Sequence, residues 1–178
     1  MTANDDRLAF LRAKTEWSDE EFAELIALSP IGTFRRFPNL STAGLHNLEQ
    51  AVANFVEVGE RATHAYQVGC YIEVLTLRSQ SAELFLRVYL AAKLALAPSF
   101  PANDKRPLGA LIKECEVVGL DSATIESLRK FNTDRISVVH HYLLGSQPYD
   151  ALRNVCDQSR DLIKDLVAVL STDVGEAA

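Results

Sequence analysis

The stretch Phe131-Asn132-Thr133-Asp134-Arg135-Ile136-Ser137-Val138-Val139-His140-His141-Tyr142 sets an arginine, an acid, a serine and two histidines inside a run with the apolar spacing of a helix. Such side chains rarely enter an apolar helix without partners, because an unpaired charge removed from water is costly. The residue types suggest anion chemistry. Arg135 offers a planar fork of donors that fits a phosphate, and a histidine such as His140 can move a proton near neutral pH. On a regular helix, five residues separate Arg135 from His140 by about 140°, so the two diverge unless the helix bends or a second chain completes the site. Asp134, Ser137 and His141 share one face at i, i+3 and i+7, which makes His141 a rival base or ligand. Glu83 lies among apolar neighbours in Leu84-Phe85-Leu86 and is a candidate partner for Arg135. These six residues are expected to line a polar cleft for a phosphate-containing ligand. An ion pair of Arg135 with Glu83 or Asp134 that only fixes helix register is the structural alternative.

The elements that must position them read as helices throughout. Alternating β-branched runs between tight turns are absent. Ser18-Asp19-Glu20-Glu21 has the form of a capping box before Phe22, Leu25, Ile26 and Leu28. Residues 1–40 are expected to form a short helical extension anchored by Trp17, Phe34 and Phe37. A helix from Ser41 or Thr42 to about Ala65 follows, and Gly69 marks a break or a kink. A long helix over 70–96 ends before Pro98 and Pro101. Pro107 is placed to start the helix that stops at Gly119. Asp121 or Ser122 caps the helix carrying Arg135, with Ile125, Leu128, Phe131, Ile136, Val139 and Leu143 inward, and Gly145 ends it. One last helix, from Pro148 to about Leu170, closes the chain before a frayed tail at 172–178. Short connections favour an antiparallel all-α bundle of four to five helices over residues 41–171.

Bulk properties exclude several classes. A net charge of −6 argues against a broad cationic track for nucleic acid but leaves room for a small basic pocket. Cys70, Cys115 and Cys156 form no C-x-x-C pair, so a disulfide framework and a zinc site are not expected. His46 and His64 lack companion carboxylates at metal-ligand spacing, and no metal or cofactor is expected. Gly-rich phosphate loops, G-x-S-x-G and H-E-x-x-H are missing. The acidic start Met1–Asp6 is unlike a signal peptide. The apolar run 84–97 is broken by Arg87 and Lys93, so no membrane span is expected. A cytoplasmic protein is the expectation.

Three segments together resemble the HEPN family of small helical bundles. Leu77-Arg78-Ser79-Gln80-Ser81-Ala82-Glu83-Leu84-Phe85-Leu86-Arg87 is similar to the family's second helix, where an Ala-Glu-Leu-x-Leu-Lys-like run is common. Pro107-Leu108-Gly109-Ala110-Leu111-Ile112 resembles a Leu-Gly-x-Leu-Ile helix opening. Arg135-x4-His140 then follows in order with the R-x4-6-H spacing, and His141 serves the longer spacing. The resemblance covers residues 45–170 and implies a homodimer that shares its site between chains. It implies a metal-independent endoribonuclease or toxin with Arg135 and His140 catalytic and Asp134, Ser137, His141 and Glu83 in support. A nucleotidyltransferase-type antitoxin would be a separate chain. Ile136 departs from the pattern, which usually has a polar residue after the arginine. That departure implies the alternative, a non-catalytic dimer that binds RNA, a nucleotide or a partner protein.

Overall fold

The computed structural model describes residues 57–94 and 104–173, together with Asp6, Arg7, Phe10, Leu11, Ser18, Glu20, Glu21 and Glu24. Helical residues 57–67 lead into α1 (Tyr71–Lys93), α2 (Leu108–Val117), α3 (Ser122–Leu143), α4 (Asp150–Gln158) and α5 (Leu162–Asp173). Among the described residues there is no strand, so the all-α expectation holds. α1 is the central element and packs on every later helix. No helix among the described residues is long and apolar enough to cross a membrane.

Local chemistry explains the boundaries. Gly69 adopts φ 79°, with its amide donating to the Tyr66 carbonyl and the Cys70 amide to the Ala65 carbonyl at 2.7 Å. This pair of returning bonds is a Schellman stop, so the chain breaks here and does not kink. The same pattern ends α3 at Gly145, φ 69°, where the Gly145 and Ser146 amides return to the Tyr142 and His141 carbonyls. Asp121 caps α3 by accepting from the Thr124 amide at 2.9 Å. That bonding, through the Thr124 side chain first, holds the Asp121 carboxyl below its usual range. Pro107 is the residue before α2 and does not start it, because its ψ of 162° is extended.

Two further expectations are corrected. The last helix is two helices. The Ser159 hydroxyl donates to the Val155 carbonyl at 2.8 Å, and Arg78 Nη1 donates to the Cys156 carbonyl. A continuing helix would use that Cys156 carbonyl, but the Arg160 amide turns to Asp157 at 3.2 Å, and α5 begins anew at Leu162. Ile136 and Leu143 point outward, with 55% and 72% exposure. The inward stripe of α3 is Ile125, Leu128, Phe131 and Val138, and Arg135 takes the position between the last two.

The core joins α1 through α5 around Leu75, Leu86, Leu111, Leu128, Leu152 and Leu166, and Leu11 from the N-terminal segment is fully buried in it. The capping box exists, with Ser18 and Glu21 each accepting from the other's amide. Trp17, Phe34, Phe37, the 41–56 stretch and the tail beyond 173 lie outside the described residues.

One charge lies deep in this core. Arg87 on α1 is 2% exposed. Its Nη1 pairs with Asp104 and its Nη2 donates to the Arg106 carbonyl at 2.9 Å, while its Nε is buried without a hydrogen-bond partner. Arg106 in turn grips Asp104 through Nε at 2.8 Å and pairs with Glu114 on α2. Removing one partner of a buried pair leaves an uncompensated charge. Asp104→Leu is therefore expected to cost about 3–5 kcal/mol in urea unfolding, and adding Arg87→Met to recover most of that loss.

Candidate functional site

Arg135 sits where a core leucine would fit the helical period of α3, and its guanidinium is half-buried. Its Nη2 donates to Asn132 Oδ1 at 3.0 Å, one turn earlier on the same helix. Its Nε is buried without a hydrogen-bond partner. Burial pulls the Arg135 pKa down, and the nearby charge of Glu83 opposes that shift. Glu83 does not close an ion pair with it. The nearer cation is Arg87, whose Nη2 lies 3.8 Å from Glu83 Oε2. The arginine is thus oriented by an amide, held in a favourable field, and left with a donor unmade.

Asn132 lies beside α2. An added Cβ at Gly109 would lie 3.6 Å from Asn132 Nδ2, so the first turn of α2 runs beside the residue that orients Arg135. Sequence reasoning passed over Asn132, although its place three residues before Arg135 was the available signal.

The other expected site residues lie around α3 and do not converge within one chain. His140 is exposed, and its ring meets that of His141 edge-on, with centroids 6.2 Å apart. His141 is tied to the end of the helix, with Nδ1 3.0 Å from the Ser146 hydroxyl, which itself donates to the His141 carbonyl. Ser137 is exposed. Asp134 turns to the opposite flank and pairs with Lys130, whose ammonium also donates to Gln158 Oε1 at 3.0 Å. That flank borders an open cleft of about 440 Å³ shared with Phe131, Asp161 and Asp165. Burial, and then the charge of Asp161, pushes the Asp165 carboxyl up. The cleft thus includes Asp134 alone of the six expected residues and is predominantly acidic. Among the described residues no group of three or more metal-ligating side chains is assembled.

A tyrosine ladder also escaped sequence reasoning. Tyr142 meets Tyr149 at 5.3 Å between centroids, Tyr149 meets Tyr71 at 5.4 Å, and Tyr71 meets Tyr66 at 5.8 Å. The Tyr149 hydroxyl accepts from the Tyr71 amide at 2.9 Å, which satisfies a donor at the start of α1. The rungs come from two regions, Tyr66 with Tyr71 and Tyr142 with Tyr149, more than seventy residues apart in the chain, so no local pattern announces the whole ladder.

The contact between Gly109 and Asn132 does not demand glycine, because 3.6 Å is ordinary van der Waals distance. Gly109→Ala is expected to raise stability by up to about 1 kcal/mol through helix propensity and a less flexible unfolded chain. A higher urea midpoint with an unchanged slope would show it.

No protein-family model, curated protein or solved structure matches this chain.

Proposed function

We propose that the chain is a HEPN-like, metal-independent endoribonuclease that works as a homodimer, with Arg135 as the phosphate clamp and His140 as the proton-transfer group. The observation that carries this reading is the Arg135 guanidinium. It is half-buried and oriented by Asn132, yet its Nε has no protein acceptor. A donor left unmade at that depth is costly unless a ligand or ordered water takes it. A phosphate oxygen matches both its charge and its geometry.

The outer face of α3 supports the dimer. Ile136, Val139, His140 and Leu143 follow the spacing i, i+3, i+4 and i+7, and Ile136 and Leu143 are largely exposed. An isologous contact over this stripe would cover the apolar side chains and carry the His140 of each copy toward the Arg135 of the other. In this reaction the histidine takes the proton of an RNA 2′-hydroxyl. The 2′-oxygen bonds to the adjacent phosphorus as the bond from phosphorus to the 5′-oxygen breaks, and the 5′-oxygen leaves with a proton from solvent water. Arg135 stabilises the charge that grows on the phosphoryl oxygens. A nucleotidyltransferase-type antitoxin on a separate chain fits the toxin form of this reading.

Ile136 favours a second reading, in which the dimer binds RNA, a nucleotide or a partner protein without cleaving. An exposed apolar residue stands where a polar helper would assist the transfer.

Cleavage and binding of a short single-stranded RNA in the presence of a chelator separate the readings. In wild type, cleavage is expected. It falls by about 10²-fold or more in Arg135→Ala and His140→Ala, and affinity drops mainly in the former. Wild-type binding without turnover establishes the second reading, and equal affinity in all three proteins removes the site. Ile136→Asp combined with Leu143→Asp is expected to convert the dimer to a monomer by light scattering.

A further inference from the structure

Three arginines surround one aspartate where α1 meets α4. Asp157 Oδ1 accepts from the Tyr66 hydroxyl and lies 3.4 Å from Arg160 Nη2, while its Oδ2 lies 3.8 Å from Arg153 Nε. Charge-assisted hydrogen bonds are ordinarily about 2.7–2.9 Å long. The Arg7–Glu24 pair of this chain reaches 2.6 and 2.9 Å. Arg153 and Arg160 therefore stand beside Asp157 without a close pair to it, Arg153 interacting first with the Tyr66 hydroxyl, and their side chains are 58% and 60% exposed. Arg78 is the third cation. It is half-buried, and its Nη1 donates to the Cys156 carbonyl and to the Ser159 hydroxyl at 3.0 Å. Its charge faces Arg160, Asp157 and Tyr66. Three guanidinium groups thus face the one carboxylate of Asp157, while Asp150 and Asp161 flank the cluster in sequence, on a chain whose net charge is −6.

The aromatic part of the cluster is continuous with the site on α3. The Arg160 guanidinium lies 5.6 Å from the centre of the Tyr66 ring. Tyr66 is the outer rung of the ladder whose other end, Tyr142, follows His140 and His141 on α3. Guanidinium groups and tyrosine rings side by side are the pairing that holds unstacked nucleotides. The cations take phosphates, and the ring or guanidinium plane takes a base face of any sequence. A duplex hides its base faces and calls for a longer cationic track than this chain offers.

We propose that Tyr66, Arg78, Arg153 and Arg160 form a second phosphate-and-base site that seats a flanking nucleotide of a single-stranded RNA while another phosphate of the same strand lies at Arg135. The inference rests on the RNA reading of Arg135 and specifies its substrate class. On binding, a phosphate draws Arg153 and Arg160 from Asp157, and Asp157 keeps the Tyr66 hydroxyl.

The test uses the full chain and a labelled single-stranded oligouridylate of about twelve nucleotides, within the usual span of such sites. Affinity is followed against salt. Arg153→Ala with Arg160→Ala is expected to weaken the oligonucleotide and to lower the slope of log affinity against log salt by about 1.4, at about 0.7 per phosphate contact for a single strand. Tyr66→Ala is expected to lose about fivefold or more in affinity and Tyr66→Phe to keep it, because the ring carries the stacking. Unchanged affinity and slope in the double variant, with binding lost in Arg135→Ala, overturns the second site and leaves the first. The reverse pattern removes the Arg135 reading and leaves the arginine cluster as the RNA contact. No oligonucleotide binding by wild type overturns both.

Discussion

A full positive charge at 2% exposure constrains everything packed around it, and Arg87 is that charge. Its cost is tolerable only with matched partners on fixed backbone. Asp104 supplies the carboxylate, and the Arg106 carbonyl accepts from Nη2. The segment 104–107 is therefore anchored to α1 immediately before α2 begins at Leu108. Arg106 extends the network to Glu114 on α2 itself. With α2 so placed, Gly109 comes beside Asn132, and Asn132 orients Arg135. Glu83, 3.8 Å from Arg87, lends its field to the same arginine. The most buried ion pair and the most chemically suggestive residue belong to one chain of contacts.

That chain makes Arg135 unlike an ordinary surface arginine. A flexible exposed side chain loses conformational entropy when it grips an anion. Arg135 has already lost much of it to packing and to Asn132. Burial lowers its affinity for its own proton and the charge of Glu83 opposes that shift, without a salt bridge to consume its donors. An arginine paired directly with Glu83 would be better satisfied and less able to take a phosphate.

Helix order and most boundaries were legible in the residues because their determinants are local. The capping box at Ser18–Glu21, Asp121 before α3, and the glycines at 69, 119 and 145 act within a few residues of themselves. The azimuth of α3 was harder to read. An arginine occupies a position on the core stripe, so apolar counting shifts the stripe by one residue and brings Ile136 inward on paper. The break after α4 was invisible for a different reason. Ser159 alone is a weak signal, and the stop is completed by Arg78, eighty-one residues earlier in the chain. The tyrosine ladder likewise is complete only once the 66–71 and 142–149 segments are together.

The shortness of α4 has a dynamic consequence. A helix of nine residues is too short to persist in water by its own hydrogen bonds. It is held by the fully buried Leu152 and Cys156 and by the Arg78 guanidinium on its last turn. Such a piece is suited to open and close as a unit while the longer α1 and α3 stay folded. Arg153, Asp157 and the ladder's Tyr149 ride on it or at its edge. Amide exchange within α4 then measures a local folding equilibrium, and any ligand that grips those side chains draws part of its affinity from completing that fold.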